Sequence, residues 1–375
     1  MKSILIIASY APSLVNFRGH LIERFLKEGY VVHTAAPGLT EDSATLEWLT
    51  SRSVQVHAIP LNRTGWNPNA DLRALLALRR LMQSVNPAIC LAYTIKPVIW
   101  GMLAARSSRV PKRVALITGL GYAFTDASSL KSIITRFIAK RLYRIALGQA
   151  TLVFFQNKDD ASDFRRWQVL PRNVPTQIVN GSGVDTRHFT KQPFPEGPPR
   201  FLLIARLLGN KGIREYVAAA AIVRNLGRMA EFHIVGGIDL NPDGIPQAEV
   251  EAWARSGVVK WHGAATDVRP YLAASHVYVL PSYREGTPRT VLEAMAMGRP
   301  IVTTDVPGCR ETVRDGVNGH VVPKKDPQAL AEAMLKFIDS PASIERMGEQ
   351  SHQIVHEKFD VDAVNSQMIT AMELG

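Results

Sequence analysis

Short continuous apolar runs alternate with helical periodicity from the start of the chain. SILIIA (3–8) is an apolar run of strand length. The segment FRGHLIERFLKEGY (17–30) then carries Leu21, Ile22, Phe25 and Leu26 at helical spacing, with Gly29 as a stop, and VVHTAAP (31–37) reads as the next strand. Further runs follow at VQVHAI (54–59), AICLAYT (88–94), RVALIT (113–118), TLVFF (151–155) and TQIVN (176–180), most of them separated by helical patterns. TKQPFPEGPPR (190–200) interrupts the series; four prolines and a glycine can continue neither a helix nor a central strand. A second series begins at FLLIA (201–205) and continues through EFHIVG, VVKWHG, HVYVLPS, PIVTTD and GHVVP, and from about Pro327 the pattern is helical. Strands that read as continuous apolar runs and alternate with helices predict parallel sheets covered on both faces. The expectation is an α/β chain of two doubly wound, Rossmann-like domains facing across a cleft. The boundaries are 1–190, a linker at 191–200, a second domain at 201–355, and a C-terminal helix at 356–375 that packs back on the first domain.

Composition changes this picture in one respect. The length of 375 residues suits two or three domains, and a 46% hydrophobic content suits sizeable cores. The charge, however, is uneven. Residues 1–191 hold 25 Lys+Arg against 11 Asp+Glu, a net of +14, whereas residues 192–375 hold 19 against 22, a net of −3. A basic first half suits either an anionic partner (membrane surface, nucleic acid or phosphorylated substrate) or simply a solvated basic surface. Cys90 and Cys309 are far apart and show no metal-ligand or CxxC spacing, which fits a reducing cytoplasm. The N-terminal apolar core, ILIIA, is too short for a signal peptide, and no window is long and apolar enough to span a bilayer.

Candidate chemistry concentrates in the second half. In YREGTPRTVLEAMAMGRPIV (283–302), Glu285 precedes a helix that Pro288 opens, and Glu293 lies inside it, five residues beyond Pro288 and roughly 8 Å along the axis. Between them lie free backbone N–H groups and the positive end of the helix dipole, an anion site. The two carboxylates suit hydroxyls on either side of a phosphorylated ligand. The spacing equally fits a capping glutamate and a solvated helix glutamate. LLIARLLGNKG (202–212) places Arg206 just after a strand and Lys211 five residues later, among Gly209, Asn210 and Gly212. A guanidinium fork and a mobile ammonium on such a loop suit a diphosphate, although a solvated basic loop has the same composition.

Taken with HIVGG (233–237), WHG (261–263) and the stretch 281–323, these segments resemble the retaining glycosyltransferases of the GT-B fold, the large family-four group, whose E-x7-E motif the glutamates match. The resemblance implies a nucleotide sugar, usually UDP-linked, held mainly by the C-terminal domain. It implies that Arg206 and Lys211 hold the diphosphate, that Glu293 binds ribose hydroxyls and that Glu285 meets sugar hydroxyls. Gly286, Thr287, Arg289, Thr290 and Val291, with Gly236 and Gly263, would complete the donor contacts. Arg206, Lys211 and Glu285 are the expected catalytic groups. No metal is expected: the D-x-D at Asp360–Asp362 is far from these motifs in sequence.

The loop after the first strand lacks G-x-G-x-x-G, which argues against a dinucleotide-dependent oxidoreductase. The stretch 93–125 resembles the acceptor domain of relatives that extend polyprenyl-diphosphate-linked sugars. Asn16, Arg18, Lys96, Gly119 and Gly121 are the expected acceptor contacts. Many of the wider group carry His-Gly where this chain has Leu120-Gly121, so no catalytic histidine is assigned. In LKSIITRFIAKRLYRIALGQA (130–150), Ile134, Phe137, Ile138 and Ile145 form a stripe beside Lys131, Lys140, Arg141 and Arg144. That pattern suits an anionic membrane surface and also a helix packed on a sheet. The expectation is transfer of a sugar, an N-acetylhexosamine by resemblance, from a UDP-sugar to a lipid-linked saccharide at the inner face of the cell membrane. The rivals are another nucleotide-sugar enzyme on this scaffold and a non-catalytic assembly subunit that binds the nucleotide sugar. A nucleic-acid partner is not expected, because no reading motif is present.

Overall fold

A computed structural model describes residues 2–374 except Arg63, Thr64, Trp66, 120–129, Leu240 and Pro242; for 130–135 and Leu374 it describes the backbone alone. The chain divides into two compact units, Met1–Ser182 with Val364–Gly375, and Gly183–Ala363.

The strands of the first unit are β1 (Ser3–Ile7), β2 (Val31–Ala36), β3 (Gln55–Ala58), β4 (Ile89–Tyr93), β5 (Lys112–Ile117), β6 (Leu152–Phe155) and β7 (Thr176–Ile178). Among the described residues they form one parallel sheet in the order β3-β2-β1-β4-β5-β6-β7. Helices α1 (Pro12–Lys27), α2 (Ser43–Thr50), α3 (Pro68–Val85), α4 (Ile95–Ser107), α5 (Leu130–Leu147) and α6 (Lys158–Arg166) connect them. Both sheet faces are covered. Leu5, Ile7 and Ala92 belong to one core, Ile4, Ile6 and Leu91 to the other.

In the second unit, β8 (Arg200–Ile204), β9 (Glu231–Val235), β10 (Lys260–Trp261), β11 (Val277–Leu280), β12 (Ile301–Thr304) and β13 (Gly319–Val322) form a parallel sheet in the order β10-β9-β8-β11-β12-β13. Its helices are α7 (Ile213–Asn225), α8 (Gln247–Arg255), α9 (Arg269–Ala273), α10 (Arg289–Ala296), α11 (Pro327–Asp339) and α12 (Ala342–Lys358). The last helix, α13 (Val361–Leu374), contributes Met368, Ile369 and Met372 to the core of the first unit. The phenol of Tyr30 donates to Glu373 Oε1 at 3.0 Å in the same unit.

Each sheet reverses its strand order once, between β1 and β4 and between β8 and β11. At such a point the two loops leaving the carboxyl ends run to opposite faces, and a crevice opens between them. One helix differs from the sequence expectation. Helix α1 begins at Pro12, not near Phe17, because a proline in the first turn forgoes no helical hydrogen bond. Asn16 and Arg18 therefore sit in its second turn.

Candidate active site

The reversal between β8 and β11 gathers the predicted donor residues of the second unit. The loop leaving β8 carries Arg206 and then a single 3-10 turn, Gly209–Lys211. The loop leaving β11 carries Glu285. Lys211 Nζ donates to Glu285 Oε1 across 74 positions of sequence, and both side chains are largely shielded from water. The backbone ties the two loops as well: Tyr283 N–H donates to Asn210 O at 2.9 Å. Arg206 is more open, with 59% of its side chain exposed, and its Nη1 lies 3.1 Å from Asp239 Oδ2.

Helix α10 starts immediately after the Glu285 loop. Among the described residues no side chain caps it, and Pro288 occupies the cap position. Its N-terminal N–H groups thus bring the positive end of the dipole to the crevice. About one turn on, Glu293 is buried, with Arg289 Nε 2.9 Å from its Oε1. Burial raises its carboxyl from 4.5 to about 7 against the opposing pull of Arg289. Thr290 Oγ1 lies 2.6 Å from the Tyr278 hydroxyl, which donates to Ile204 O at 3.0 Å and so ties α10 to the end of β8. Gly286 and Thr287 are half-buried on the loop, while the Val291 side chain belongs to the core and its N–H donates to Pro288 O at 3.1 Å.

Two glycines are required by close backbone approach. A Cβ on Gly308 would stand 2.4 Å from the carbonyl oxygens of both Glu285 and Gly286, while Glu285 N–H donates to Pro307 O at 3.0 Å. The loop after β12 therefore braces the Glu285 loop from behind. A Cβ on Gly236 would stand 1.9 Å from Ala205 O, beside Arg206, and Gly236 N–H donates to Gly263 O at 2.7 Å. Gly263 opens onto free space.

The first unit treats its predicted cations differently. Lys96, in α4, is 5% exposed and donates to Asp71 Oδ1 at 2.8 Å, and Asp71 is equally buried. Arg18 is 2% exposed and lies over the Tyr93 ring, 5.1 Å from its centroid. Asn16 is exposed, Gly119 is half-buried after β5, and Leu120 and Gly121 lie outside the described residues. On α5, Ala139, Tyr143, Ala146 and Leu147 face the core, whereas Phe137, Ile138 and Ile145 are exposed. The Arg141 guanidinium lies over the Phe137 ring at 5.3 Å. The side chains of Lys131 and Ile134 lie outside the described residues. Among the described residues, no helix is long and apolar enough to cross a membrane, and no group of three His, Cys, Asp or Glu side chains could hold a metal ion.

The sequence reading missed Asp239 and Asp243. Asp243 accepts from Asn210 N–H at 3.0 Å and, through its carbonyl, from Gly209 N–H at 2.8 Å. The available signal was the acidic turn that follows the paired glycines of HIVGG. Only the pairing of β9 with β8 sets that turn beside the Arg206 loop.

Two parallel-sheet domains, with two cations and a helix N-terminus gathered at the carboxyl ends of β8 and β11, define a class of transferase scaffolds. Residues 198–340 match the family described as Glycosyl transferases group 1, and residues 4–157 the one described as Glycosyl transferase 4-like. The chain belongs to the GT-B glycosyltransferases. It is 28% identical over 340 residues to an N,N'-diacetylbacillosaminyl-diphospho-undecaprenol alpha-1,3-N-acetylgalactosaminyltransferase of Campylobacter jejuni, covering 87% of each chain. It is 25% identical over 319 residues to a UDP-Gal:alpha-D-GlcNAc-diphosphoundecaprenol alpha-1,3-galactosyltransferase of Escherichia coli, covering 80% of this chain and 79% of that one. Among solved structures, sucrose-phosphate synthase from Thermosynechococcus elongatus superposes with a TM-score of 0.84 at 19% identity, covering 100% of this chain and 99% of that one. HepE from Anabaena, solved in complex with UDP-glucose, gives 0.75 at 17% identity over the whole of both chains.

Proposed function

We propose that the protein transfers a sugar from a UDP-sugar to a polyprenyl-diphosphate-linked saccharide, with retention at the anomeric carbon. The observation that carries this reading is the meeting of Arg206, Lys211 and Glu285 with the uncapped start of α10 at one strand-order reversal. The names of the Campylobacter and Escherichia relatives support the acceptor class, and the HepE complex supports the donor class. In this reading the donor's diphosphate lies between the Arg206–Lys211 loop and α10, and Glu293 accepts from the ribose hydroxyls. Glu285, held by Lys211, accepts from hydroxyls of the transferred sugar. The bond from the anomeric carbon to the UDP oxygen breaks with its electron pair leaving on UDP. Arg206 and Lys211 meet that charge, so the leaving group needs no metal. The acceptor hydroxyl bonds to the anomeric carbon and passes its proton to the departing UDP oxygen. An N-acetylhexosamine is the proposed sugar, in line with the Campylobacter relative.

The first domain takes the acceptor in this reading, and the protein works at the inner face of the cell membrane. The exposed Phe137, Ile138 and Ile145 beside Arg141 and Arg144, in the half that carries the excess of cations, support an anionic bilayer as the surface met by α5. The test is a panel of UDP-sugars offered with polyprenyl-diphosphate saccharides, with products weighed by mass spectrometry. A mass gain of one N-acetylhexosamine residue on the lipid-linked acceptor is expected. Sugar transfer to water alone, or from no UDP-sugar, defeats the reading.

A further inference from the structure

Both predicted diphosphate cations hold a carboxylate: Lys211 holds Glu285, and Arg206 holds Asp239. The second pairing is built in by the backbone. Leu207 N–H donates to Gly237 O at 3.3 Å, Ile245 N–H to Leu207 O at 2.9 Å and Gly209 N–H to Asp243 O at 2.8 Å. These bonds run the turn after β9 alongside the turn after β8. Asp239 is further oriented by Asn241 N–H, which donates to its Oδ1 at 2.9 Å and leaves Oδ2 for the guanidinium. The carboxylate is only 20% exposed, while the guanidinium it holds faces water.

We propose that Asp239 is an affinity-setting residue. It occupies Arg206 in place of the donor's diphosphate, is displaced when the donor enters, and reclaims the guanidinium as UDP leaves. This rests on the reading of the Arg206–Lys211 loop as the diphosphate site. A diphosphate approaching Arg206 meets a like charge in the position it must take, so either it displaces Asp239 or the two repel; both weaken binding. Ion pairs at a water-exposed group change an equilibrium by about two- to fivefold, small enough for a nucleotide sugar to overcome and large enough to hasten product release.

The experiment is calorimetric titration of UDP into the wild type, Asp239→Asn and Asp239→Glu, alongside UDP inhibition of transfer. Asp239→Asn is expected to bind UDP about two- to fivefold more tightly, with its inhibition constant falling in step, and Asp239→Glu to return toward the wild type. A carboxylate that merely braces the loop predicts the opposite sign, because loosening Arg206 weakens UDP binding. Unchanged or weaker binding by Asp239→Asn, with the wild type binding normally, overturns the proposal. Should Asp239→Asn fail to fold, Asp239→Ser carries the same expectation. Failure of the wild type itself to bind UDP removes the diphosphate reading, and this inference falls with it.

Discussion

The two domains share a sheet topology and a strand-order reversal, yet they handle positive charge in opposite ways. At the reversal between β8 and β11, Arg206 faces water and Lys211, paired with Glu285, keeps a fifth of its side chain exposed. Near the reversal between β1 and β4, Lys96 is sealed against Asp71 and Arg18 against the Tyr93 ring. A cation near water can exchange its carboxylate for an incoming phosphate at little cost. A cation sealed with its counter-ion cannot, because the abandoned carboxylate would stay buried and unpaired. Equal topology therefore leaves Arg206 open to exchange at one reversal and Lys96 internally paired at the other.

The largest effect expected from that contrast is on stability. Lys96→Ala leaves Asp71 buried without its cation and should cost about 3–5 kcal/mol in urea unfolding; a loss below about 1 kcal/mol, the range of exposed pairs, would erase the contrast. Lys211→Ala should act on chemistry instead. Transfer should slow by about 2.7–4 kcal/mol of barrier, two to three orders of magnitude, while thermal unfolding stays near the wild type. An equal loss of melting temperature in both variants would show that the two lysines do the same job.

Glu293 offers a pH test within the second domain. The folded protein binds this proton more tightly than an ordinary carboxyl of 4.5, up to about 7. Its contribution to stability therefore falls as pH rises from about 4.5 to about 7 and is level above that. The span is up to about 3 kcal/mol from the size of the shift, and Glu293→Gln should flatten it in denaturation curves taken across that window. In the proposed function ribose hydroxyls donate to the ionised form, so the KM for UDP-sugar should fall as pH rises through about 7 in the wild type and lose that step in Glu293→Gln. The smallest effect concerns the exposed stripe on α5. Phe137→Ser should leave stability within about 0.5 kcal/mol yet weaken sedimentation with anionic vesicles, and equal vesicle binding by both proteins would remove α5 from the membrane reading.

Much of this was legible in one dimension. The apolar runs located the strands because a strand buried on both faces reads as unbroken hydrophobicity. Arg206 and Lys211 stood out as cations on a glycine-containing loop after a strand, and Glu285 and Glu293 as the acidic residues between Asp267 and Asp305. Lys96 looked equally accessible by position, since it too follows a strand, and nothing local shows that α3 brings Asp71 against it. The apolar stripe on α5 was ambiguous for a similar reason. Helical spacing shows which residues share a face, but only packing shows that Tyr143, Ala146 and Leu147 take the core while Phe137 and Ile145 are left outside.

Sequence by itself determined the elements, their parallel pairing and the residue types at the loop tips, since these depend on local periodicity and on turn chemistry. Tertiary structure alone decided the partners: Lys211 with Glu285, Arg206 with Asp239, Lys96 with Asp71. Strand order sets which loops become neighbours, and it arises from how whole units pack against one another, over separations that no local pattern spans.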